Sequence, residues 1–174
     1  FLVVPILHAC TTNAITGRKQ LSLFPESELQ AQAVNQYQSF LSQNKVVSQS
    51  GSKDAEMVKR VGTRLATAIT SYYKQSGKGV DLSNYKWEFN LVNNNDVNAW
   101  CMPGGKVVVY TGLLPITQNE AALAVVLGHE ITPAIAQHGN ERMSQVALAQ
   151  GIQVAGNVVT SNNSQVNSIF NNIY

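Results

Sequence analysis

"AALAVVLGHEITPAIAQHGNERMSQ" (121–145) decides how this sequence is read. A long apolar run ends in His129-Glu130, and residues 120–138 have the composition of a buried helix. Asn119 fits its N-cap and Gly139 the residue just past its end. On a helix, side chains four apart share one face, so the partner position of His129 is 133. That position holds Pro133. Proline carries no donor atom in its side chain. Inside a helix it also removes the bond to the carbonyl of His129 and crowds that carbonyl, costing about 3 kcal/mol. His138 falls nine residues after His129, half a turn out of phase. It reads as a polar residue near a helix C-terminus, where an imidazolium suits the dipole.

The 174 residues are one domain's worth, enough to bury a core. Formal net charge is +2 and the basic residues are scattered, so no nucleic-acid partner is indicated. Only 13% of residues are charged, about half the usual share. From Met143 to Tyr174 there is no charged side chain. That stretch is a poor free tail and is expected to need a covering partner.

The opening "FLVVPILHAC" is apolar but shorter than the roughly 20 residues that span a bilayer. It reads as the back half of a secretory signal peptide. Its ending resembles a bacterial lipobox, with Leu7 at −3, Ala9 at −1 and Cys10 as the lipid-accepting residue; His8 at −2 is unusual there. The resemblance implies removal of residues 1–9, a lipid on Cys10, a polar tether over 10–24 and, with Thr12 in place of Asp, the outer membrane. Cys101 is the only other cysteine, so an acylated Cys10 leaves no intramolecular disulfide.

Pro25 opens a helix, with Glu26 and Glu28 in its first turn and Leu29, Ala33, Tyr37, Phe40 and Leu41 at helical spacing. A second amphipathic helix is expected from about Lys53 to Lys74. Alternating Trp87, Phe89 and Leu91 predict a strand over 86–92, followed by strands at 97–102 and 106–112 around the turn Pro103-Gly104-Gly105.

"VNAWCMPGGKVVVYTGLL" followed by "AALAVVLGHE" and "AIAQHGNERMS" resembles the zinc endopeptidases of the HtpX and CAAX-prenyl-protease type, above all their lipid-anchored envelope members. The resemblance covers roughly residues 20–145. It implies an α+β, zincin-like (gluzincin) metallopeptidase domain, with N-terminal helices and a small antiparallel hairpin sheet packed on the active-site helix. It implies a zinc ion with His129 as a ligand and Glu130 as general base, and substrate polypeptides added as strands along the edge Asn98, Ala99, Trp100, Cys101 and Met102. The partners implied are unfolded or misassembled envelope polypeptides and a membrane reached through the lipid anchor.

Against that pattern, Pro133 stands at the second zinc-histidine position, and no Asp or Glu follows Glu141. Glu141 reads as helping to open a helix behind Asn140. The third ligand is therefore expected beyond Tyr174, and 25–174 reads as an incomplete metallopeptidase domain. Two functions follow. One is a zinc metalloendopeptidase by descent, metal-deficient and inactive as written. The other is a non-catalytic lipoprotein that binds extended peptides along its edge strand.

Overall fold

The computed structural model describes residues 10–150 and 164–174; the expected signal-peptide residues 1–9 lie outside them. Two short strands, β1 (Cys10–Thr12) and β2 (Lys19–Leu21), pair antiparallel. Helices α1 (Glu26–Gln43) and α2 (Lys53–Ser76) follow, then strands β3 (Glu88–Val92), β4 (Ala99–Met102) and β5 (Lys106–Tyr110). A 3₁₀ turn leads into α3 (Leu114–Thr117), α4 (Glu120–Ile135), α5 (His138–Ala149) and α6 (Ser164–Ile173).

Local chemistry sets most of these boundaries. The Ser52 hydroxyl accepts from the amide of Ala55 at 3.2 Å to start α2, and Gly77 ends it in the left-handed region at φ 64°. The Asn119 side chain accepts from the amide of Ala122 at 2.9 Å, the expected cap of α4.

The main sheet runs β3-β5-β4. β4 and β5 form the expected antiparallel hairpin, but β3 lies parallel to β5, so the sheet is mixed and not purely antiparallel. The reason is the connection 93–98, which carries the chain past β5 and leaves β4 on the far edge. β5 is central, and Val107, Val108 and Val109 are all fully buried. Alternation sends Val107 and Val109 to one face and Val108 to the other. On the first face they meet Val58 and Val61 of α2 and Leu123, Leu127 and Ile131 of α4. On the second, Val108 joins Leu29, Ala33 and Tyr37 of α1, Met143 of α5 and Phe170 of α6. Three layers result, with the sheet in the middle.

Several expectations change here. Residues 10–24 are not a free tether: they fold as the β1–β2 hairpin, with Asn13, Gln20 and Phe24 buried. The uncharged 143–174 stretch is partly covered within the chain, because Met143, Ala147, Val166, Ile169 and Phe170 bury one another against α1 and the sheet. Helix α4 stops at Ile135, and the left-handed residue after it is Gln137 (φ 55°), not Gly139. Gly139 is inside α5, and a methyl group there would strike the Tyr174 hydroxyl. That contact explains the glycine better than a helix end does. Asn140 is likewise internal to α5.

Candidate functional site

Helix α4 is apolar on most of its circumference, so burial, not a narrow stripe, orients it. Leu123, Leu127, Ile131, Ala134 and Ile135 face the core. Val125, His129, Thr132 and Pro133 are exposed. Val125, His129 and Pro133 are spaced four apart and form one outward line. The helix continues through Pro133 for two more residues. The proline offers no N–H to the carbonyl of His129, while Thr132 returns its hydroxyl to the carbonyl of Gly128 at 2.7 Å.

Glu130 is half-buried on α4, the helix that packs against β4. Its charge, after burial itself, raises the pKa of the Cys101 thiol above the ordinary thiol range. The catalytic-residue candidate and the edge strand are thus electrostatic neighbours.

β4 is a true edge. The amide of Tyr110 donates to the carbonyl of Asn98 at 3.0 Å. In an antiparallel ladder, main-chain groups alternate sides. Asn98, Trp100 and Met102 therefore turn their N–H and C=O groups to β5, and Ala99 and Cys101 turn theirs outward. Trp100 points its ring to the second face, edge-on to Tyr37 and Phe40. Of the five residues expected along the substrate edge, two present main-chain groups to a docked strand and three are committed to the hairpin.

The far end of α4 is clamped. Asn13, within the first hairpin, donates to the carbonyl of Ala136 and to Gln20 Oε1, both at 2.7 Å. Its oxygen accepts from the amides of Ile15 and Thr16 at 2.8 and 3.0 Å. Arg18 holds Glu141 with two bonds of 2.6 and 2.5 Å, which keeps that carboxyl below its usual range. Asn140 donates to the carbonyl of Phe24 at 2.8 Å, and the amide of Leu23 donates to Ser144 Oγ at 2.9 Å. Sequence reading missed this clamp. The signal available was Asn13 and Gly17 in "NAITG", residues that favour a tight turn.

Beside the clamp lies a polar cleft of about 480 Å³ between the hairpin, the first turn of α1, the 79–85 loop and the end of α4. Glu26 lines it, and burial pushes its carboxyl up to about 7 against bonds from the Gln30 and Asn140 side chains.

A zinc peptidase site needs three protein ligands and one open position. The donors present do not supply them. His129 faces Pro133, Glu141 is occupied by Arg18, and His138 starts a different helix. Among the described residues no three His, Cys, Asp or Glu side chains come together. The residues here do not fit a zinc site. Among the described residues no helix is long and apolar enough to cross a membrane.

Comparison with known proteins matches residues 52–173, well over half of the chain, to the model of peptidase family M48. The chain is similar to the mitochondrial metalloendopeptidase OMA1 of Bos taurus, 27% identical over 77% of this chain and 24% of that protein. Its counterpart in Arabidopsis thaliana is 44% identical over 37% of this chain and 13% of that protein. The beta-barrel assembly-enhancing protease of Yersinia pestis is 36% identical over 42% of this chain and 16% of that protein. The chain spans about a quarter or less of the length of these relatives.

Proposed function

The chain belongs to peptidase family M48, and from that premise we propose that it serves a zincin-like (gluzincin) metalloendopeptidase of the bacterial envelope that acts on extended polypeptides. The observation that supports this reading is that α4, which carries Glu130, packs against β4, the last strand of the sheet among the described residues. An extended peptide adds to β4 through the outward groups of Ala99 and Cys101, which reads backbone more than side chain and suits unfolded or misassembled substrates. Glu130 then lies beside the added strand, where a general base is needed.

Members of the family are in general zinc-dependent. We read β4 and Glu130 as the substrate-strand and base half of such a site, with the metal half deficient at Pro133. We propose Cys10 as the lipidated residue and the outer membrane, facing the periplasm, as the location; the similarity to a beta-barrel assembly-enhancing protease supports an envelope role. Pro133 also supports a second reading, a lipoprotein that binds extended peptides along β4 without cleaving them.

Zinc titration by calorimetry on three proteins tests the proposal. The unaltered chain is expected to bind zinc no better than a lone surface imidazole. Pro133→His is expected to gain weak affinity, and His129→Ala added to it to remove that gain. Tight stoichiometric binding by the unaltered chain would overturn the metal-deficient assignment. Peptide binding that survives without any metal, with no cleavage, would favour the second reading.

A further inference from the structure

We propose that the N-terminal hairpin is a rigid mount that holds the end of α4 and its neighbouring polar cleft against a lipid surface, so that the polypeptides reached are membrane-proximal ones. This inference rests on the lipidation of Cys10 proposed above. Its physical basis is the absence of slack between that cysteine and the site helix.

Cys10 is exposed and is itself paired in register with Leu21. Three residues further on, Asn13 is buried and bonded to the carbonyl of Ala136, the residue that caps α4. At about 3.3 Å per extended residue, Cys10 is within roughly 10 Å of that bond. His129 is seven residues back along the helix, about 10 Å at 1.5 Å per residue. The anchor and the His129-Glu130 face are thus on the order of 20 Å apart through a continuous path of hydrogen bonds and helix.

A free segment over 11–24 would behave differently. Fully extended it would reach about 45 Å, and as a flexible coil it would let the domain tumble. Here the segment's own polar groups forbid that. Asn13 satisfies four partners, and Arg18, Leu23 and Phe24 are each bonded to α5. Thr11 and Thr12, next to the anchor, line the cleft. Among the described residues, the cleft mouth and the C-terminal end of α4 therefore lie on the bilayer side. The opposite end of α4, with Ile116 and the 94–97 turn, lies about 24 Å away along the sixteen-residue helix.

The experiment couples a maleimide-bearing phospholipid to Cys10 of the Cys101→Ser protein, in phosphatidylcholine vesicles doped with a lipid whose headgroup carries a photo-cross-linker. Adducts are mapped by mass spectrometry. They are expected on residues 11–20, 79–85 and 136–142 and to be missing from 94–97 and 114–118. Inserting about twelve Gly/Ser residues after Cys10, a coil of roughly 20 Å mean span, is expected to remove that preference. Asn13→Ala with Arg18→Ala is expected to weaken it in part. Adducts spread evenly over the uninserted protein, or concentrated at 94–97 and 114–118, would overturn the mount. Natural lipidation is read separately, by whether Cys10→Ala releases the protein from bacterial membranes. Failure there removes the lipid surface and the proposal with it, while the vesicle result still reports whether the hairpin is rigid.

Discussion

The two edges of the main sheet are finished in opposite ways. Outside β3, the segment 45–47 lies alongside: the amide of Val47 donates to the carbonyl of Leu91 and the amide of Asn93 to the carbonyl of Lys45, both at 2.8 Å. Outside β4 no strand among the described residues covers Ala99 and Cys101, and α4, which carries Glu130, packs against β4. An uncovered edge invites pairing with other chains. The bare edge is the one proposed to receive an extended polypeptide.

The asymmetry can be broken from behind. Leu127 is fully buried and fixes α4 against the sheet. Leu127→Ala is expected to cost about 2–5 kcal/mol in urea unfolding. Amide exchange should then rise in β4 before β3; an equal rise in both strands would mean that α4 does not support the open edge.

The next effect depends on pH and lies near the end of the open edge. Gly104 packs on Gln30, and Gln30 reaches Glu26. The folded state holds the Glu26 proton more tightly than an unfolded chain, whose ordinary value is 4.5. Its contribution is therefore full below pH 4.5 and is lost as pH rises through about 7. Glu26→Gln is expected to flatten the stability–pH curve over that window by at most about 3 kcal/mol. An unchanged slope would show that Glu26 is hydrated.

A smaller loss is expected at the covered edge. Val47→Pro deletes the bond to Leu91 and strands a buried carbonyl, costing about 1–3 kcal/mol. The corresponding amides at Ala99 and Cys101 have no strand partner among the described residues. Without mutation, hydrogen exchange sharpens the point: the amides of Val47 and Asn93 are expected to exchange slowly and those of Ala99 and Cys101 quickly. An added extended peptide should protect the latter pair alone. Slow exchange at Ala99 and Cys101 in the free protein would remove the open edge from the argument.

Much of this architecture could be read from residue patterns, because it follows local rules. The β-branched run Val107-Val108-Val109 marks a strand buried on both faces, and Asn119, Ser52 and Gly77 carry cap chemistry. What escaped was non-local. The parallel placement of β3 depends on a crossover that no single window contains. The clamp depends on pairs 116 to 123 residues apart, such as Phe24 with Asn140 and Arg18 with Glu141. Gly139 misled because a glycine that makes room for Tyr174 looks, in sequence, like one that ends a helix. At the candidate site, His129, Glu130 and Pro133 were singled out by resemblance to the family's helix, whereas which main-chain groups of β4 face outward required the bond from Tyr110 to Asn98.

The Cys101 thiol, on the bare edge, is raised above its ordinary pKa by burial and by the negative charge of Glu130. Thiolate is the species that attacks disulfides and is oxidised. A sulfur held protonated reacts slowly with both. β4 is chemically quiet at this sulfur even where unpaired cysteines tend to be captured as mixed disulfides. Burial is the larger cause of that protonation, and the Glu130 charge adds to it.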